Sequence, residues 1–150
     1  MSSPLITPEL VAVNVDAADA HAVIDVLAQR LADAGRVTDA VAFAADVRAR
    51  EAKTSTGMPG GIGLPHAKSE AVVTPSLAVA KVPAGVDFGA PDGPATLVFL
   101  IAAPAAGEGD HLKILAALAR KLVHADFKES LRAAPDGDAV AAIVNEAVSL

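Results

Sequence analysis

The sequence predicts an α/β protein, a single domain over residues 1–150 in which a mixed β-sheet is flanked by helices on both faces. Segments with apolar residues at helical spacing alternate with short, strongly apolar runs that are typical of strands. The run Leu97–Ile101 has no polar alternation, so we expect a strand that is buried on both faces. No repeat, low-complexity tail or internal linker divides the chain, which favours one domain.

The first half of the chain predicts a short strand followed by two helices. Weak alternation at residues 10–15 favours the strand. Residues 17–34 then carry apolar side chains at helical spacing, which predicts an amphipathic helix. A second helix is expected to begin after the capping residues Thr38 and Asp39 and to continue to Ala52.

The second half predicts two strands followed by three helices. The strands are separated by a segment with turn residues, and the helices follow in close succession. In chain order we expect a strand at 77–82, turns at 83–94, a strand at 95–102, a helix capped by Asp110, a short helix at 127–133 and a last helix at 138–148.

Between the two halves lies a glycine-rich segment, residues 53–66. Its four glycines and two prolines predict an irregular loop with close backbone approaches. The glycines fit neither a P-loop nor a dinucleotide-binding fingerprint, because the Gly-Lys-Ser/Thr ending and the Gly-x-Gly-x-x-Gly spacing are both missing. Nucleotide binding is therefore not indicated.

The composition excludes several classes of protein. The chain has no cysteine, so a disulfide scaffold, a cysteine-ligated zinc site and thiol catalysis are excluded. The net charge is −6 and the basic residues form no cluster, which argues against a nucleic-acid partner. No apolar stretch approaches the ~20 residues of a spanning helix, and the N-terminus lacks the features of a secretory signal. We therefore expect a cytoplasmic protein.

His66 is the main candidate for chemistry. It follows Pro65 at the end of the glycine-rich segment, whose small residues leave room for a substrate to approach the ring. A neutral imidazole has one unprotonated nitrogen that can act as a nucleophile, and a hydrogen bond at the other nitrogen decides which one attacks. The alternative, from the loop alone, is a histidine without a chemical role.

His111 and Arg50 are candidates for binding an anion. His111 is expected in the first turn of a helix, where backbone N–H groups present positive potential. Arg50 can donate to a phosphoryl oxygen, and Glu51 can hold Arg50 or another group of the site in place. The plainer alternatives are a polar first-turn residue and a solvated helix end. The other two histidines, His21 and His124, are predicted to lie at the surface.

Taken in order, these residues resemble the motif of a known family. The resemblance rests on Arg50-Glu51, Thr56-Gly57 and the run Gly61-Ile62-Gly63-Leu64-Pro65-His66-Ala67-Lys68. This order is similar to that of the IIA domains of the phosphoenolpyruvate-dependent sugar phosphotransferase system, fructose and mannitol type. The similarity covers about residues 5 to 148, and the fructose branch is the closest.

The resemblance implies a phosphotransferase with a phosphohistidine intermediate. His66 is then expected to accept a phosphoryl group from the phosphocarrier protein HPr and to pass it to a IIB domain or protein during uptake of fructose or a related sugar. The membrane component IIC is reached only indirectly, and no metal, nucleotide or other cofactor is expected. His111 and Arg50 match the supporting catalytic positions of the family. Four further residues match positions that support the phosphoryl group or its loop: Glu51, Thr56, Gly57 and Gly61.

Two alternatives stay open at this point. The first is a nitrogen-type regulatory IIA protein, which is phosphorylated on the matching histidine but controls other proteins by binding them. The second is a non-catalytic binding module that merely carries the loop, and it predicts no stable phosphorylation of His66.

Overall fold

The computed structural model describes residues 5–106 and 110–148, with the side chains of residues 110–112 left out of the description. These residues form one sheet and the helices packed on it. In chain order the elements are a 3-10 helix at Pro8–Leu10, β1 at Val11–Ala12, α1 at Ala20–Asp33, α2 at Ala40–Lys53, β2 at Gly57–Met58, β3 at Ile62–Gly63, β4 at His66–Ser69, β5 at Ser76–Val86, β6 at Ala95–Pro104, α3 at Asp110–Leu122, α4 at Ala125–Ala133 and α5 at Gly137–Ala147.

The sheet is mixed, as predicted. Its strand order is β1-β5-β6-β3-β2, and β4 also pairs with β6. Strands β5 and β6 form the antiparallel centre, while β1 runs parallel to β5 and both β3 and β4 run parallel to β6. The segment β3–β4 therefore follows one edge of β6, and this edge carries the histidine of interest.

Helices cover both faces of the sheet, which confirms the predicted architecture. Strand β6 is buried from Leu97 to Ala103, so neither of its faces is open to solvent. Helices α1 and α2 pack on each other, with α1 against β5 and α2 against β4. Helices α3, α4 and α5 form a second group, in which α3 packs on β6 and α5 packs on β1.

Aspartate side chains begin three of the helices. Asp19, Asp39 and Asp136 each accept a hydrogen bond from the backbone N–H three residues later, at 2.9–3.1 Å. The predicted first helix therefore starts late, at Ala20 rather than at residue 17, because Asp19 supplies the cap. Among the described residues, no helix combines the length and the apolar character needed to cross a membrane.

Three sequence expectations for strands are wrong. Residues 53–66 are not an irregular loop throughout, since they contain β2, β3 and the start of β4. Strand β5 continues beyond residue 82 to Val86, through a register shift between Lys81 and Val86 that accommodates Pro83. The strand expected at residues 10–15 is reduced to the two residues of β1, behind a 3-10 turn.

Candidate functional site

An open cleft of about 340 Å³ lies between the C-terminal half of α2 and β4. It contains both His66, the candidate nucleophile, and Arg50, which are 16 residues apart in the sequence. The described residues that line it come from two elements: Asp46, Ala49, Arg50 and Lys53 from α2, and His66, Ala67 and Lys68 from β4.

His66 reaches the cleft because Pro65 interrupts the edge of the sheet. A proline has no backbone N–H, so β3 and β4 are separate pieces along β6 rather than one strand. The carbonyl of Pro65 still accepts from Ile101 N–H at 3.1 Å, and Ile101 is the register partner of His66. Strand pairing therefore holds the backbone of His66, and its side chain is half-buried at the rim of the cleft.

The imidazole of His66 is oriented by its own chain. Its Nδ1 lies 2.9 Å from the carbonyl oxygen of Leu64. A carbonyl oxygen only accepts hydrogen bonds, so Nδ1 must carry the proton in this arrangement. In the neutral ring, Nε2 is then the unprotonated nitrogen and the candidate nucleophile.

Arg50 and Lys53 supply positive charge from the last turn of α2. Cations are favoured at a helix C-terminus, where carbonyl groups without helical partners point outward. Arg50 Nη1 donates to one such group, the carbonyl of Thr54, at 3.2 Å. A guanidinium has several N–H donors, so this bond leaves others for an anion bound in the cleft.

The charges lining the cleft suit an anion. Among the described residues of the lining, Arg50, Lys53 and Lys68 are cationic and Asp46 is anionic. Asp46 Oδ2 accepts a hydrogen bond of 2.6 Å from the hydroxyl of Ser69, which is buried in β4. This bond ties α2 to β4 directly beside the cleft. Within residues 5–106 and 110–148, no group of three His, Asp or Glu side chains is arranged to hold a metal ion.

The carboxylate of Glu51 holds the segment between α2 and β2, because its hydrogen bonds go to Thr56 and not to Arg50. Its carboxylate accepts from both the backbone N–H and the hydroxyl of Thr56, each at 2.7 Å. Of the two roles that the sequence allows for Glu51, the structure therefore supports holding another part of the site. The backbone carbonyl of Thr56 in turn accepts a hydrogen bond from Leu64 N–H at 3.3 Å. Thr56 therefore connects Glu51 to Leu64, the residue whose carbonyl oxygen orients His66.

Gly57 and Gly61 shape the β2–β3 hairpin and are not among the residues that line the cleft. Gly57 donates its N–H to the carbonyl of Phe88, and a Cβ atom there would lie 2.6 Å from that oxygen. Gly61 accepts from the N–H of Leu97, which is four residues, or about 13 Å, along β6 from Ile101. Both glycines fit a role in supporting the loop.

The remaining histidines stand apart from the cleft or outside the described side chains. The backbone of His111 lies in the first turn of α3, as predicted, and its side chain is outside the described part of the chain. His21 is exposed on α1, and His124 is exposed just before α4. The surface location predicted for these two is confirmed.

The sequence analysis missed Asp46 and Lys53 as residues of the site. Their signal was present, since positions 46, 50 and 53 lie at helical spacing and therefore share a face of α2 with Arg50. The role of the Leu64 carbonyl was also missed, because every residue has a backbone carbonyl and the residue type does not show which one binds a side chain.

Comparison with known proteins agrees with this geometry. The family model described as "Phosphoenolpyruvate-dependent sugar phosphotransferase system, EIIA 2" matches residues 4–147. The fructose-specific EIIA component of Haloferax volcanii is 43% identical over 145 residues, which are 95% of this chain and 94% of that protein.

Solved structures show the same fold. The nitrogen regulatory protein IIA-Ntr from Neisseria meningitidis matches with a TM-score of 0.84 at 25% identity, over 93% of this chain and 96% of that one. The IIA mannitol enzyme of Escherichia coli, solved in complex with phosphorylated enzyme IIB, matches with a TM-score of 0.78 at 23% identity, over 94% and 97% of the two chains. The chain belongs to the EIIA 2 family of the phosphoenolpyruvate-dependent sugar phosphotransferase system.

Proposed function

We propose that this chain is the phosphoryl carrier of a fructose-type phosphotransferase system in the cytoplasm. His66 accepts a phosphoryl group from phospho-HPr and passes it to a IIB component during uptake of fructose or a related sugar. The observation that carries this proposal is the hydrogen bond from Nδ1 to the Leu64 carbonyl, because it leaves Nε2 as the nucleophile beside a cationic cleft.

In the proposed step, the lone pair of His66 Nε2 attacks the phosphorus atom in line with the donor. The Nε2–P bond forms while the bond from phosphorus to the donor breaks, and the bonding electron pair leaves with the donor. The proton on Nδ1 stays hydrogen-bonded to the Leu64 carbonyl before and after Nε2 takes up the phosphoryl group, so the ring needs no proton transfer. The ring therefore serves equally well for acceptance and for release.

Positive side chains stabilise the charge that spreads over the equatorial oxygens in the transition state. Arg50 is held by Thr54 at the wall of the cleft, and Lys53 follows it by one helical turn. We assign the imidazole of His111, at the start of α3, to the same task. Its position in a first helical turn, together with the family resemblance, supports this assignment.

Two named relatives support the partners and the sugar. The E. coli mannitol enzyme was solved with phosphorylated IIB, which supports a IIB component as the acceptor. The H. volcanii relative is named fructose-specific, which supports fructose or a related sugar as the final acceptor. In this relay the sugar meets IIB and the membrane component IIC, and it never enters the cleft of this chain.

The test is incubation of the purified chain with phosphoenolpyruvate, enzyme I and HPr, followed by intact mass and an acid-lability assay. We expect one acid-labile phosphoryl group on the wild-type chain and none on His66→Ala. The matched control is His124→Ala, which removes an exposed histidine outside the cleft and is expected to behave as wild type. Phosphorylation of His66→Ala, or none of the wild-type chain, would refute the proposal.

A nitrogen-type regulatory role is the second candidate, favoured by the structural match to IIA-Ntr from N. meningitidis. Such a protein is also phosphorylated on the matching histidine, so the first assay does not separate the two. An assay of transfer from the phosphorylated chain to a IIB protein separates the two roles, because only a carrier for uptake passes the phosphoryl group on. Failure of every cognate IIB to accept it would favour the regulatory role.

A further inference from the structure

The carbonyl that orients His66 belongs to a residue that is also held from outside the pairing with β6. Leu64 lies between β3, which ends at Gly63, and β4, which begins at His66. The next residue, Pro65, has no backbone N–H to donate. The N–H of Leu64 donates to the backbone carbonyl of Thr56 at 3.3 Å. The position of the Leu64 backbone therefore depends on Thr56 as well as on the sheet.

Thr56 has all of its polar groups in this connection. Its N–H and its hydroxyl both donate to the carboxylate of Glu51, each at 2.7 Å, and its carbonyl accepts from Leu64. Because Thr56 lies between α2 and β2, these bonds hold it in place of a helix or a strand. Glu51 belongs to the last turn of α2, next to Arg50. The carboxylate thus fixes Thr56 to the helix that brings Arg50 to the cleft.

A continuous series of hydrogen bonds therefore joins α2 to the imidazole ring. It runs from Glu51 to Thr56, from Thr56 to Leu64, and from the Leu64 carbonyl to Nδ1 of His66 at 2.9 Å. Glu51 is not among the described residues that line the cleft. Its printed contacts connect it to the ring through backbone groups, and not by direct contact.

The last bond of the series decides where the ring carries its proton. A neutral imidazole has one proton on either of its two nitrogens, and only a ring protonated at Nδ1 has a lone pair on Nε2. The Leu64 carbonyl favours that tautomer, because it accepts from Nδ1. Hydrogen bonds weaken steeply as their geometry departs from linear, so a displaced Leu64 carbonyl would favour it less.

We propose that Glu51 is a positioning residue that keeps the proton of His66 on Nδ1, acting through Thr56 and Leu64. Without the carboxylate, part of the His66 rings carries the proton on Nε2, and those rings have no lone pair there to attack phosphorus. The inference deepens the proposed function, since it concerns the ring that accepts the phosphoryl group. The tautomer itself can be measured without phosphorylation.

The test is ¹⁵N NMR of the histidine rings in wild type and Glu51→Ala, in which a protonated and an unprotonated ring nitrogen have different chemical shifts. The spectrum of His66→Ala identifies the signals of His66. At about pH 8.5, where neutral rings predominate, we expect the wild-type proton on Nδ1. In Glu51→Ala the tautomer ratio should shift about fivefold toward Nε2, as expected for the loss of one hydrogen bond.

The kinetics of phosphoryl acceptance give a second measurement. The value of kcat for Glu51→Ala should fall in proportion to the fraction of rings protonated at Nδ1. The KM for phospho-HPr should stay unchanged, because Glu51 is not among the described residues of the cleft lining. A rise in KM without a change in tautomer would contradict the proposal.

Two control variants separate positioning from charge and from stability. Glu51→Gln removes the charge but keeps an oxygen for the Thr56 N–H and an amide that can donate to the Thr56 hydroxyl, so it should restore the wild-type tautomer. Asp39→Ala makes the same change of net charge as Glu51→Ala and removes the cap bond to Ala42 at the other end of α2. It should leave the tautomer unchanged.

The outcomes are distinct. A shift in Glu51→Ala that is absent in Glu51→Gln and in Asp39→Ala supports the proposal. An unchanged tautomer in Glu51→Ala, or an equal shift in either control, overturns it. If thermal unfolding shows that Glu51→Ala is not folded, Thr56→Val replaces it, since it removes one of the two bonds and should shift the ratio in the same direction. A wild-type chain that accepts no phosphate refutes the proposed function and leaves the tautomer result to decide this inference.

Discussion

Removal of the Glu51 carboxylate tests how the segment next to the cleft is held. Glu51 is half-buried at the end of α2, and both of its oxygens accept hydrogen bonds from Thr56, one from the N–H and one from the hydroxyl. The substitution Glu51→Ala removes both bonds and leaves the Thr56 donors without this acceptor. Since Thr56 directly precedes β2, the substitution weakens the segment through which the chain enters the β2–β3 hairpin.

The expected loss of stability follows from these two bonds. A hydrogen bond to a charged group contributes about 1.5–3 kcal/mol when buried, and a half-exposed one contributes about 1 kcal/mol. The two bonds together give a decrease of about 2 kcal/mol in the free energy of unfolding of Glu51→Ala. For a chain of this size 1 kcal/mol corresponds to about 2–4 °C, so Tm should fall by about 4–8 °C.

Urea unfolding followed by circular dichroism measures this loss, with Thr56→Val as the second arm of a double-mutant cycle. Thr56→Val removes the hydroxyl bond alone and should cost about 1 kcal/mol. The double variant should be about as stable as Glu51→Ala, which gives a coupling of about 1 kcal/mol. A Glu51→Ala variant within about 0.5 kcal/mol of wild type, or a double variant whose loss is the sum of the singles, would refute the reasoning.

Further substitutions probe the hairpin and the cleft. Gly57→Ala should lower the free energy of unfolding by about 2 kcal/mol or more, since its Cβ would lie 2.5 Å from Ala90 N and 2.6 Å from Phe88 O. Gly35→Ala, at φ +75° with no atom within 4 Å, should show only a backbone cost of about 1 kcal/mol in the same urea titration. Arg50→Lys should transfer the phosphoryl group faster than Arg50→Ala, because lysine keeps the positive charge at the cleft. A quenched-flow assay measures both rates, and equal rates would exclude an electrostatic role for Arg50.

Local patterns were sufficient to predict the helices and the central strands. Helix α2 follows from an aspartate cap and apolar residues at helical spacing, and β6 follows from an uninterrupted apolar run. Strand β4 could not be predicted this way, because His-Ala-Lys-Ser contains no β-branched residue and no Phe, Tyr or Trp. It is a strand because β6 supplies its hydrogen-bond partners and α2 packs against it.

The sequence by itself predicted the fold class and the order of the site motif, and through the family resemblance it pointed to His66 and Arg50, because these depend on residue type and on order along the chain. The tertiary structure alone decided which imidazole nitrogen is the nucleophile, since that depends on the Leu64 carbonyl. It also decided that Asp46 faces the same cleft as His66. The distance between two residues on different elements is set by how the strand edge and the helix pack, and no local pattern records it.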